Sequence, residues 1–289
     1  MRNEQGRYIY CIIPRPPLLS FSFVGIDDKP VTVVPFENLA AVVSESSVRH
    51  YQVSQEYTLK HEWVIEQVMQ RYTVLPVRFG TVAASEEDIR VKLLRRHFGS
   101  LHGMLKRLDN KVELGVKAFW ERERIYATLL QDDPELRQIR DTLAGKPEAE
   151  MHYERVQLGQ MVEQALNTRR SRDAAHIIDM LRPLAQQVCE NPILEDMMVV
   201  NAAFLVDRRR ESVFDARVQA LDDEHGGLIQ FRYVGPLPPF NFVSLVVAWN
   251  DQESASQAPD WDGLASKEPA LSATKGGDDD DRGGKTSLA

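Results

Sequence analysis

The sequence predicts an α+β protein of two domains, each pairing a small sheet with packed helices, and three observations carry that prediction. Strand-type segments recur in both halves, at residues 7–14, 31–34, 39–44, 111–120, 197–206 and 229–233, separated by stretches with helical three-and-four spacing. Turn chemistry at Asp109-Asn110 falls between two such sets and puts the expected domains at 1–109 and 110–250. Beyond residue 250, Ser, Ala, Gly, Pro and Asp dominate, so 251–289 is expected to be a disordered acidic tail.

Bulk composition narrows the class. A chain of 289 residues, 43% hydrophobic and 27% charged, can bury a sizeable core. The formal charge of −8 is concentrated in the tail, where nine acidic residues face four basic ones. The rest is close to neutral, which offers no electrostatic ground for nucleic-acid binding. Cys11 and Cys189 sit far apart in apolar segments and read as core thiols. The first residues have no apolar core, and the longest apolar run, 197–206, is half a membrane span interrupted by Asn201. The expectation is a cytoplasmic protein that does not engage a membrane.

In chain order, residues 7–14 are rich in β-formers and end at Arg15-Pro16-Pro17, where proline withholds its donor. Residues 21–26, 31–34 and 39–44 supply three more short strands. Ser54 caps a helix whose stripe is Tyr57, His61, Val64, Ile65, Val68, Met69 and Tyr72. His61 is on that stripe, so a buried, hydrogen-bonded ring is expected; Glu62 and Glu66 fall on the solvated side.

The next stretch, Leu75-Pro76-Val77-Arg78-Phe79-Gly80-Thr81-Val82, alternates apolar and other residues and reads as a half-buried strand. Ser85 and the acids after it open a second helix, with a break expected near Gly99 and Gly103.

Residues 111–120 alternate cleanly, with Val112, Leu114, Val116, Ala118 and Trp120 on one side. A short helix and loop over 121–148 precede a long helical region that Arg169-Arg170-Ser171-Arg172-Asp173 interrupts. Residues 197–206 are apolar on both faces, as in a central strand. Phe214, Val218 and Leu221 stripe a helix stopped at Gly226-Gly227, and 229–233 form the last strand. This order is one strand short of a ferredoxin-like unit, in modified form, and the missing strand is sought in 124–130. Three prolines between Gly235 and Phe240 exclude an ordinary ladder segment, and 242–249 reads as an edge strand or docked tail.

No catalytic, metal or cofactor motif stands out. The seven histidines include no pair at helical metal-site spacing, and phosphate-loop, dinucleotide and nucleophile-elbow patterns do not occur. The basic runs at 169–172 and 208–210 carry no interleaved aromatics and read as solvated helix ends. On these residues no enzyme is expected. The rival class is a small-molecule-binding sensor or an enzyme on a ferredoxin-like scaffold.

Four blocks carry a family resemblance. The 75–82 stretch, His61-Glu62-Trp63-Val64-Ile65-Glu66 upstream, Lys111-Val112-Glu113-Leu114-Gly115-Val116-Lys117 downstream, and Gly235-Pro236-Leu237-Pro238-Pro239-Phe240-Asn241-Phe242-Val243 together resemble the gas vesicle protein F/L family. Leu237 stands where that family's pattern has tryptophan, and Phe240-Asn241 stand for tyrosine-serine. The resemblance implies a minor structural or accessory protein of gas vesicle assembly, in the cytoplasm or the gas vesicle. Its partners would be the small apolar main shell protein, bound during nucleation or within the shell, and other accessory proteins. Arg78, Phe79, Leu237, Phe240 and Phe242 are the expected partner-binding residues.

Overall fold

The computed structural model describes residues 6–48, 50–143, 152–243, 245–247 and 249. Two antiparallel sheets organise them, the first from strands before residue 84 and the second from strands after residue 110. The fold is α+β, as expected.

The first sheet contains β1 (Gly6–Pro14), β2 (Ser20–Val24), β3 (Pro30–Phe36), β4 (Leu39–Ser46), β5 (Leu75–Pro76) and β6 (Val82–Ala83). Its order is β2-β3-β4-β1-β5, with β6 also pairing β1. A bulge between Ile9 and Cys11 shifts the β1–β4 register by one residue. Helices cover both faces, which is why β1 and β4 are apolar almost throughout. On one face Tyr8, Tyr10, Ile13 and Val42 pack against Val64, Ile65 and Val68 of α1 (Gln55–Met69). On the other, Ile9, Ile12, Ala41 and Val43 meet Leu93, Leu94, Leu101 and Leu105. Those leucines come from a helical stretch that starts as α2 (Glu86–Asp88), continues as a π-helix over Ile89–Arg95, and resumes as α3 (Phe98–Arg107). The expected break therefore falls at His97, whose φ of −112° is not helical, while Gly99 and Gly103 lie inside α3.

The second sheet has the order β10-β7-β9-β8, from β7 (Lys111–Trp120), β8 (Gln187–Glu190), β9 (Met198–Asp207) and β10 (Ile229–Leu237). Between β7 and β8 run α4 (Arg122–Asp132), α5 (Pro134–Leu143) and α6 (His152–Leu181), and α7 (Glu211–His225) links β9 to β10. The strand sought in 124–130 is helix α4. Ile125 and Leu129, four apart, are its buried residues, and the sheet's fourth strand is instead the four-residue β8.

The interruption expected at 169–173 does not occur either, because α6 runs unbroken through it. Arg169 donates from Nε to Asp173 at 2.8 Å, and Trp120 Nε1 donates to the same carboxylate at 3.0 Å. Asp173 is only 5% exposed. That basic run is therefore not a solvated helix end; a buried carboxylate selects Arg169. Val112, Leu114, Val116, Ala118 and Trp120 cover one side of β7 and pack on Ile177, Ile178, Phe214 and Leu221.

The other side of the second sheet joins the first. Ala203 and Leu205 of β9 lie in the same cluster as Ile9, Leu93 and Leu101. Phe242 and Leu245, beyond β10, enter that cluster too, so the segment after β10 returns to the N-terminal sheet. No helix among the described residues is long and apolar enough to cross a membrane.

Candidate partner-binding site

The candidate site grows from α1. Ser54 accepts a hydrogen bond from the Tyr57 N–H at 3.2 Å, which satisfies one orphan donor and starts the helix there. Two turns on, the stripe delivers His61 into the interior at 4% exposure. Its Nε2 is 3.1 Å from the Val77 carbonyl, which can only accept, so Nε2 carries the proton. Nδ1 then accepts from the Tyr8 hydroxyl at 3.0 Å. The Tyr8 oxygen in turn accepts from the Gly80 N–H at 3.1 Å.

This directional chain grips residues 77–80 at both ends. Burial is the main reason the His61 pKa falls to about 4 from its ordinary 6.5, with the Val77 hydrogen bond opposing it. Burial likewise pushes the Tyr8 hydroxyl far up, so both rings are neutral.

The grip explains why the expected strand over 75–82 is not continuous. Ladder pairing occurs only at β5 and β6, and Gly80 between them has φ +81°, a left-handed conformation suited to glycine. The Val77 N–H donates to Tyr10 O, Thr81 Oγ1 donates to Arg78 O, and the Ile9 N–H donates to Thr81 O. Alternating residues thus anchor a loop, and a loop with alternating anchors has the same period-2 signature as a strand.

The C-terminal segment docks on this loop. Val77 forms a parallel bridge with Leu245; the Arg78 N–H donates to Leu245 O, and the Leu245 N–H donates to Pro76 O. Behind it, Glu113 of β7 receives the Asn241 backbone N–H at 2.8 Å and also its side-chain amide. Burial is the main cause that raises Glu113 to about 7 from an ordinary 4.5, with the Asn241 bonds opposing it. The proline-rich turn is a partial ladder after all. β10 reaches Leu237, which lies opposite Glu113 across a bulge, because β10 is a sheet edge where prolines need no donor.

Of the five expected partner-binding residues, three point inward. Phe79 sits edge-on to His61 at 5.7 Å between ring centres. Phe240 packs on the α1-side cluster, and Phe242, 8% exposed, belongs to the shared core. Arg78 is exposed and Leu237 half-buried. Glu62 and Glu66, expected in solvent, are half-buried, and burial raises both carboxyls. The Tyr8–His61 and Glu113–Asn241 pairs were not foreseen as pairs, since their members lie 53 and 128 residues apart.

Among the described residues, no group of three His, Cys, Asp or Glu side chains is placed to hold a metal ion. An open groove of about 560 Å³ lies between the first sheet and α3, lined by Arg15, Glu37, Asn38, His102, Lys106 and Asp109 among others. Cys11 is buried, and burial raises its thiol; Cys189 is half-buried.

Taken together, these features define a two-domain α+β protein whose four sequence blocks are structural anchors around one loop and one returning segment. Residues 6–244 match the model of the gas vesicle synthesis protein GvpL/GvpF family, and the chain belongs to that family.

It is 31% identical to gas vesicle protein F of Microcystis aeruginosa over 245 residues, covering 83% of this chain and 99% of the relative. It is 24% identical to gas vesicle protein L1 of Halobacterium salinarum, covering 83% and 91%. The fold superposes on the crystal structure of GvpF from Anabaena sp. with a TM-score of 0.74 at 29% identity, covering 84% and 99% of the two chains.

Proposed function

We propose that this protein is an accessory protein of gas vesicle assembly, acting in the cytoplasm and at the gas vesicle. In this reading it binds the small apolar main shell subunit, during nucleation or within the shell, together with other accessory proteins. The observation that carries the accessory role is the family match over residues 6–244, with relatives named as gas vesicle proteins along nearly their whole length. The physical task is to cover strands and apolar surface that would otherwise aggregate. The proposal assigns no reaction to the chain.

The geometry supports the reading in one respect. The loop at 77–80 is held from inside by Tyr8 and His61 and closed from outside by Leu245, so it is a stiff platform that leaves the Arg78 side chain exposed. Within the proposed partner-binding set, Arg78 and Leu237 are the accessible contacts, while Phe79, Phe240 and Phe242 hold the platform in place.

Co-purification of the full chain with the main shell subunit tests the proposal. Retention that survives washing supports it. A shell subunit that never associates, in a host where vesicles form, overturns it.

A further inference from the structure

We infer that the basic groove on either side of Thr73 and Asp109 is the docking surface of this chain's own aspartate run, Asp278–Asp281. The inference goes beyond the shell-binding reading and does not depend on it.

Two grooves meet at that surface. One, of about 560 Å³, carries Arg15, Glu37 and Lys106, and the other, of about 240 Å³, carries Arg71, Lys111 and Arg208. Thr73 and Asp109 line both, so the surface is continuous. Lys111 is neutralised by Asp207 at 3.0 Å. Arg15, Arg71, Lys106 and Arg208 then face only the carboxylates of Glu37 and Asp109.

All four cations are exposed, and among the described residues none of them has a carboxylate within ion-pair distance. Arg15 directs a guanidinium N–H to the Glu37 carbonyl at 3.2 Å. By contrast, Arg90, Lys92 and Arg209 each have a carboxylate within 3.1 Å. The C-terminal ends of α1 and α3 attract cations, which accounts for Arg71 and Lys106 where they stand. It does not account for Arg15, after β1, and Arg208, after β9, arriving at the same surface.

Charge and chain geometry select the occupant. The last described residue, Trp249, packs on the cluster that contains Leu39, Leu105 and Leu108. Those leucines also line the two grooves, so the chain leaves from the core beneath them. The 28 residues between Trp249 and Asp278 can extend to about 90 Å, against a radius of gyration of about 18 Å for a folded part of this size. Reach is therefore no obstacle. Asp278–Asp281 sets four acids in a row beside Gly276-Gly277, with no apolar side chain that would need a pocket. Tethering holds such a run at a roughly millimolar effective concentration, enough to populate a contact too weak to retain a free acidic peptide. Exposed ion pairs add little to folding stability, so the contact leaves the melting midpoint where it is.

The test is zero-length carbodiimide coupling of the full chain, which joins the Lys106 amine to a carboxylate touching it, read by peptide mass spectrometry. At low salt the monomer should carry a link from Lys106 to 278–281 at about fivefold or more the yield at Lys29, an exposed lysine outside the groove. Arg71→Gln with Arg208→Gln leaves Lys106 as reporter and should cut that link by about fivefold. Raising the ionic strength to about 1 M, where the screening length is about 3 Å, should do the same without any variant.

A Lys106 link no stronger than the Lys29 link, or one indifferent to both salt and the Gln substitutions, overturns the assignment. A link found only in covalent dimers gives the groove to the tail of a second copy and overturns it as well. Capture of the shell subunit is read separately, so either proposal can fail while the other stands.

Discussion

The buried carboxylate of Glu113 holds Asn241 twice, by its backbone N–H and by its side-chain amide. Asn241 lies between Phe240, in the α1-side cluster, and Phe242, in the core shared by both sheets. One side chain of the second sheet thereby fixes where the returning segment crosses to the first.

Glu113 should make stability fall as pH rises. Its folded pKa of about 7 lies above the ordinary 4.5, so between those values the folded state binds more protons than the unfolded one. Stability from this group is full below 4.5 and lost by 7, a change of about 3 kcal/mol. Denaturant titrations of the parent and Glu113→Gln across pH 4 to 8 should differ in slope over that window. Parallel curves would show that Glu113 does not carry the pH dependence.

His61 works in the opposite direction. Its folded pKa, about 4, is depressed from 6.5, so its contribution is present above 6.5 and lost as pH falls toward 4. The two groups oppose each other in overlapping windows and flatten the parent's profile. His61→Gln should therefore expose the Glu113 slope, and Glu113→Gln the His61 slope. A steep parent profile between pH 4.5 and 6.5 would contradict this cancellation.

Phe242 and Arg78 should separate structure from surface. Truncation of the core residue, Phe242→Ala, should cost about 3–5 kcal/mol. Arg78→Ala, at an exposed side chain, should stay within about 0.5 kcal/mol. Equal costs in chemical denaturation would show that Arg78 is part of the packing.

Asp173 should be indispensable to the second domain's core. Asp173→Ala leaves the Trp120 N–H without its acceptor and leaves Arg169, itself mostly covered, only the longer contact to Asp132 at 3.6 Å, at a cost of about 3–5 kcal/mol. Replacing Arg169 and Asp173 together by apolar residues should cost less than Asp173→Ala alone. A double variant as unstable as the single one would count against an unpaired buried charge as the cause.

Deleting residues 251–289, a segment outside the described residues, should leave the melting midpoint unchanged, because its sequence has no apolar periodicity and carries nine acids against four bases. A clear fall in the midpoint would mean that it packs on the domains.

The local elements were legible wherever short-range physics settles them. The Ser54 cap, the α1 stripe, the alternation of β7, the doubly apolar β9 and the Gly226 stop each follow from neighbours within a few residues. The family resemblance was legible too, since it rests on residue order.

The misread elements share a cause. Residues 77–81 alternate like a strand but are spoken for by Tyr8, Tyr10, His61 and Leu245, far away in the chain. Arg169 to Asp173 looks like a helix break until Trp120 and the covering core give the acid a partner. β8 has four residues, too few for a period to show.

By itself, then, the sequence determined an α+β class, most helices and strands, and membership in a family, because periodicity, capping and motif order are properties of the chain. Only the tertiary structure decided which polar groups pair, that Phe242 is core, and that the two sheets share a cluster. Those outcomes depend on which distant backbone donors and apolar faces find each other, and no local pattern encodes that choice.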